Sequence, residues 1–155
     1  MTPTIHPNDV ILVDESAYDK ASPRRNDIVV FYPPIPTKQP FVKRVIAVPG
    51  DRLSIHGSTI IVNGASMPSF ASIRPAYDVQ IRDFAIYVDG VALDSTTSKL
   101  PLREDWAAPD RLPAHCNFVI GDNANNSEDS HIWGCATLDK GSGLVGKVVK
   151  IFHKP

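Results

Sequence analysis

The residue with the clearest chemical potential is Lys43, which lies inside the apolar run Phe41-Val-Lys-Arg-Val-Ile-Ala-Val48. In a strand, side chains alternate between two faces. Lys43 therefore shares a face with Phe41, Val45 and Ala47, while Arg44 goes with Val42 and Ile46. If the Lys43 face points inward, the ammonium leaves water, its charged form is disfavoured and its pKa falls. A lysine held neutral near pH 7 can serve as a general base. The competing reading is an exposed lysine on a half-wet strand, since lysines are mostly solvated. A second unusual stretch is Gly121-Asp-Asn-Ala-Asn-Asn-Ser-Glu-Asp-Ser-His-Ile-Trp-Gly134. Its short polar side chains bond to nearby backbone and hold a loop in one shape. Apolar Phe118-Val-Ile120 and Trp133 flank it, so the loop reads as polar but pinned to a core, a suitable place for a catalytic network. Cys116 and Cys135 are read as two small buried thiols, or else as a disulfide in an oxidising compartment. With His115 and His131 they match no zinc-ligand spacing, and no metal or other cofactor is expected.

The elements that must position these groups are predicted to be almost entirely strands. Short apolar runs cover Val10–Val13, Asp27–Tyr32, Phe41–Val48, Leu53–Ile55, Thr59–Val62, Phe84–Val88, Val91–Leu93, Asn117–Ile120 and Val145–Phe152. Asn63-Gly64 and Asp89-Gly90 each lie between apolar runs, a strong hairpin signal. No segment keeps a 3.6-residue apolar period, and residues 101–111 offer at most one helical turn. The 14 prolines forbid long helices and favour short strands. Residues 65–111 are richer in Ser, Thr, Pro and Asp and read as an inserted cap or excursion.

A chain of 155 residues is expected to form a single domain, 1–155, with a real core. Sixteen basic against 17 acidic residues, a formal net charge of −1, argue against a nucleic-acid partner. No apolar run reaches the roughly 18 residues of a bilayer span, and no leader pattern opens the chain, so it reads as soluble as given.

Taken together, these segments resemble type I signal peptidases, membrane-anchored Ser/Lys proteases that remove secretory signal peptides. Met1-Thr-Pro-Thr-Ile5 is similar to the family's Ser-Met-x-Pro-Thr-Leu motif without its serine. Arg25-Asn-Asp-Ile-Val-Val-Phe31 is similar to Arg-Gly-Asp-Ile-Val-Val-Phe. Val42-Lys-Arg-Val-Ile-Ala-Val-Pro-Gly-Asp51 looks like the strand bearing the general-base lysine. The 121–134 stretch looks like Gly-Asp-Asn-Arg-Asp-Asn-Ser-x-Asp-Ser-Arg-x-Trp-Gly. The matches follow family order over about residues 1–64 and 112–150; residues 65–111 match nothing and fall where the family carries a variable cap.

The resemblance implies a mainly β fold, a complex of antiparallel sheets forming a partly closed barrel with a small inserted cap. It makes Lys43 the base and Ser127 the hydroxyl that orients it. Met1, Ile5, Phe41 and Val42 would help line shallow pockets for the small side chains of the cleavage motif, although Ile5 and Val42 read equally well as core. Arg44, Asp122, Asp129 and His131 would support the loop. Arg44 is expected to meet Asp122, and His131, standing where the family has arginine, to face Asp129. The family's nucleophilic serine falls immediately before Met1. The expectation is thus a chain cut just past its nucleophile and its membrane anchor, inactive as given. The implied partners are signal peptides of secretory preproteins and, in the full-length protein, the membrane surface. The implied location is membrane-anchored with the catalytic domain on the extracytoplasmic side. Two alternatives remain: a self-cleaving repressor-type Ser/Lys protease, and a non-catalytic peptide-binding module or pseudoenzyme of the same fold.

Overall fold

Proline and glycine punctuation cuts the chain into short strands. In the computed structural model, residues 1–56, 59–66, 79–82, 85–88, 91–92, 111–123 and 126–154 are described. Among these, 55–56, 59, 79–82, 85–88, 91–92 and 131–132 are described by backbone only. In chain order the strands are β1 (Val10–Asp14), β2 (Ile28–Phe31), β3 (Phe41–Ala47), β4 (Leu53–His56), β5 (Thr59–Val62) and β6 (Ala65–Ser66). There follow β7 (Val79–Arg82), β8 (Ala85–Val88), β9 (Val91–Ala92) and β10 (Phe118–Ile120). A single helical turn, α1 (Ser130–Trp133), precedes the long β11 (Leu144–Phe152).

These strands build two antiparallel sheets: five strands in the order β1-β11-β2-β3-β10, and six in the order β6-β5-β4-β7-β8-β9. The mainly β, antiparallel expectation holds. Neither sheet closes on itself among the described residues, so the partly closed barrel is corrected to two open sheets. The first sheet, with strands of three to nine residues and register shifts at Leu12/Val13, Phe118/Val119 and Leu144/Gly146, leaves β1 and β10 as its two edges. Asn63 and Gly64, both at positive φ, make the tight turn between β5 and β6 that Asn-Gly chemistry favours. β8 and β9 pair across residues 89–90, which lie outside the described set. Of the 65–111 stretch, β7 to β9 join the second sheet; residues 67–78 and 93–110, including the possible helical turn at 101–111, lie outside the description.

The first sheet positions the chemistry. Val29 and Phe31 on β2, Val45 on β3 and Val119 on β10 form one buried cluster with Trp133, Ala136 and Leu138. Fully burying each such side chain contributes about 1.5–3 kcal/mol. Lys43 pairs across the ladder with Val29, which is fully buried. The face that carries Lys43 is therefore the face that the core covers.

Cys116 and Cys135 are joined in a disulfide with a Cα–Cα distance of 4.9 Å, and the free-thiol reading is corrected. The reason is local: Asn117 and Ala136 exchange both backbone hydrogen bonds at 2.9 Å, which brings the flanking cysteines within bridging distance. That clasp closes the segment containing β10, the polar loop and α1.

Candidate active site

β3 carries Lys43 into the interior, where 9% of the residue remains exposed. Its Nζ donates a hydrogen bond of 2.7 Å to Ser127 Oγ from the polar loop. Burial drives the Lys43 pKa down, and the carboxylates of Asp129 and Glu128 oppose this only in part. The Phe41 ring lies 5.2 Å from Nζ. The result is an amine with a lowered proton affinity and one N–H committed to a fixed hydroxyl. That combination can accept a proton from a nearby hydroxyl or return one to a leaving group.

The loop that delivers Ser127 is held by its own backbone. Asp129 is fully buried, and its Oδ2 accepts the Gly121 N–H at 2.9 Å. Ser130 Oγ accepts the Val119 N–H at 2.9 Å, fastening the start of α1 to β10. Gly121 leaves room for the lysine–serine contact. A methyl there would lie 2.9 Å from Ser127 Cβ, closer still to Ser127 Oγ, and 3.4 Å from Lys43 Nζ.

A second network joins the opening residues of the chain to this loop. Arg44 grips Asp122 with two hydrogen bonds, Nε at 2.9 Å and Nη2 at 2.7 Å. Asp122 Oδ2 also accepts the Thr4 hydroxyl, and the Asp122 N–H points at Met1 Sδ at 3.5 Å. The Arg44 guanidinium is held above its ordinary pKa, chiefly by its hydrogen bonds to Asp122. The turn Met1–Ile5 closes through Thr4 N–H and Ile5 N–H donating to the Met1 carbonyl. The charged form of the Met1 α-amine is disfavoured by burial and then by the Lys43 charge, while the Asp122 charge favours it.

Of the residues singled out from sequence, Lys43, Ser127 and Phe41 converge, and Met1, Arg44 and Asp122 form the adjoining network. Met1, Ile5, Phe41 and Val42 are all half-buried, but strand alternation places Val42 with Arg44, on the face opposite Lys43. Asp129 binds the Gly121 backbone; the side chain of His131 lies outside the description, so the expected pairing of His131 with Asp129 does too. Sequence reasoning did not single out Thr4, Gly121 or Glu128. Thr4 and Gly121 sit inside the motifs already noticed, and Glu128 adjoins Ser127, so proximity in sequence was the available signal.

The family model described as signal peptidase, peptidase S26, matches residues 1–153. A signal peptidase I from Leptolyngbya laminosa is 32% identical over 98% of this chain and 64% of its own length. One from Bacillus caldolyticus is 33% identical over 96% of this chain and 71% of its own length. The chain thus spans roughly two thirds of these relatives, and 54% of a probable signal peptidase I-2 from Synechocystis. A crystal structure of a signal peptidase I from Enterococcus faecalis aligns with TM-score 0.49 and 21% identity, covering 82% of this chain and 97% of that one. With a family model spanning nearly its whole length, the chain belongs to the signal peptidase family, peptidase S26.

Proposed function

We propose that this chain is the catalytic portion of a type I signal peptidase, a serine endopeptidase that cleaves signal peptides from secretory preproteins. The observation that carries the reading is the buried Lys43 amine, hydrogen-bonded to Ser127 Oγ at 2.7 Å with its pKa lowered by burial. In this reading the nucleophile is a serine hydroxyl at the position preceding Met1, next to the turn that Thr4 and Met1 fasten to Asp122. Neutral Lys43 takes the hydroxyl proton while the oxygen attacks the scissile carbonyl. The resulting ammonium then gives that proton to the departing amine, leaving an acyl-enzyme for water to hydrolyse. Ser127 accepts one N–H of Lys43 and so turns the lone pair toward the nucleophile. Asp122, held by Arg44 and Thr4, keeps the nucleophile-bearing turn against the loop. Met1, Ile5 and Phe41 supply shallow apolar walls for small side chains, with Val42 on the reverse face of β3.

The disulfide supports placement on the extracytoplasmic side, where such bonds persist. Among the described residues no helix is long and apolar enough to cross a membrane. Membrane anchoring of the whole protein is therefore part of the proposal and rests on the family.

The test is a protein in which serine precedes Met1, assayed on a signal-peptide substrate beside its Lys43→Ala variant. Cleavage that the lysine change abolishes is expected. An inactive serine-bearing protein that still binds the peptide would favour the non-catalytic binding module, and activity insensitive to Lys43 would overturn the mechanism.

A further inference from the structure

Outside the Lys43 site, the two ends of the chain bring three potential metal ligands together. His6 and Asp9 stand just before β1, and His153 follows β11. Antiparallel pairing of Val10 with Phe152 fixes these neighbours opposite one another. Nδ1 of His153 lies 2.7 Å from Asp9 Oδ2, and Nδ1 of His6 lies 3.6 Å from the same oxygen. One ligand atom from each of the three residues falls within 4.8 Å of the others. We propose that His6, Asp9 and His153 form a binding site for a divalent transition-metal ion, best matched to Zn²⁺.

The carboxylate is set in place before any ion arrives. The Asp9 side chain is only 3% exposed, while those of His6 and His153 are 51% and 57% exposed. Asp9 Oδ2 accepts the His6 N–H at 2.8 Å, and Oδ1 accepts the Lys154 N–H at 3.2 Å. Asp9 N–H in turn donates to the His6 carbonyl, closing a turn in which Asn8 holds a φ of 72°. Backbone donors that orient a ligating carboxylate are the usual support of a metal ligand. The two rings sit edge to face with centroids 5.8 Å apart, both largely exposed above the buried carboxylate.

The donor set decides the ion. Two imidazole nitrogens and one carboxylate suit Zn²⁺ and its neighbours, whereas Mg²⁺ and Ca²⁺ demand oxygen. Tetrahedral Zn²⁺ with bonds of about 2.0–2.1 Å places its ligands roughly 3.3 Å apart. The His6–Asp9 spacing is close to that. The His153–Asp9 hydrogen bond opens by about half an ångström as the ion replaces its proton. Bound metal then ties the first strand to the last, with a fourth position left to water.

The experiment titrates Zn²⁺ into the untagged 155-residue protein, freed of metal with a chelator, by calorimetry. Saturable one-to-one binding is expected, with no response to Mg²⁺. His6→Asn, Asp9→Asn and His153→Asn are each expected to weaken binding at least about tenfold, and His115→Asn to leave it unchanged. In the unmodified protein, Zn²⁺ should shift the imidazole NMR signals of His6 and His153 but not those of His115, a readout independent of how the variants fold. Absence of saturable binding, binding retained when His6 and His153 are both replaced, or ring shifts at His115 instead would overturn the site.

Discussion

Lys43 is held between opposing influences, and each is open to substitution. Burial lowers its proton affinity, while Asp129 and then Glu128 raise it. In a protein bearing the serine before Met1, cleavage should increase with pH as Lys43 loses its proton, with a midpoint below the ordinary lysine value of 10.5. Removing the exposed Glu128 charge by Glu128→Gln strips away one of the raising influences. The rising limb of the pH–rate profile should therefore move to lower pH, with the plateau rate little changed. A limb that stays put or moves upward would separate Lys43 from that limb. Gly121 governs the same contact by space rather than charge. Gly121→Ala places a methyl 2.9 Å from Ser127 Cβ, a clash that rotating the side chain does not relieve, so the loop must shift against its Asp129 and Ser130 anchors and carry Ser127 off Lys43. The expected outcome is a fall in kcat of about 10²-fold, of the size that a misplaced positioning contact gives, with a drop in Tm corresponding to about 1–3 kcal/mol of overpacking. Equal kcat for the variant would mean that the Ser127 contact does not orient the base.

The polar loop acts as an element because it is anchored at its base, and the Cys116–Cys135 disulfide is one of those anchors. Closing a loop of 19 residues stabilises the fold by about 3 kcal/mol on chain-entropy grounds. The double variant Cys116→Ala/Cys135→Ala should therefore lower Tm by several degrees in calorimetry, and wild type with reductant should match it. An unchanged Tm would mean that the Asn117–Ala136 bridge alone holds the base. How much of this was readable from sequence differs by element. The strand bearing Lys43 was readable because alternation leaves only two faces to choose between, whereas its pairing of Lys43 with Val29 on β2 appeared only in the structure. The Asn63-Gly64 turn was readable from its backbone chemistry alone. The disulfide was not, because nothing local to Cys116 or Cys135 specifies which strand ends lie side by side. Nor was the openness of the sheets, since closure depends on accumulated twist and bulges, which no residue pattern encodes locally. Within the site, Lys43 and the loop were evident from residue type. The clasp of Thr4 on Asp122 was not, because a contact across 118 residues becomes visible only in three dimensions.

At the scale of the whole molecule, Asp51 joins the two sheets. It follows β3, and its carboxylate binds Arg25 ahead of β2 through Nε at 2.8 Å and Nη2 at 2.6 Å. The same carboxylate accepts the Val48 N–H at 2.9 Å and Asn63 Nδ2, in the β5–β6 turn of the second sheet, at 2.9 Å. Burial alone would raise its pKa. The hydrogen bonds from Arg25, Val48 and Asn63, with the Arg25 charge, outweigh that and hold it below the ordinary carboxylate value of 3.8. Asp27 behaves alike: burial pushes it up, and bonds from Lys147, Arg24 and Tyr18 bring it below the same value. A carboxylate whose pKa is lower folded than unfolded binds fewer protons in the native state. Its stabilisation is complete above the unfolded value and disappears as pH falls through the folded one. The chain should therefore keep its stability down to about pH 5 and lose it steeply below pH 4. Asp51→Asn removes a charged acceptor from the junction and should cost about 1.5–3 kcal/mol at pH 7. The gap between wild type and variant should close as the pH drops, since protonated Asp51 is itself a neutral acceptor. Urea unfolding at pH 7, 4 and 3 measures that gap directly. A difference that stays constant across the series would show that the charge of Asp51 does not hold the sheets together, and that its role there is one of shape.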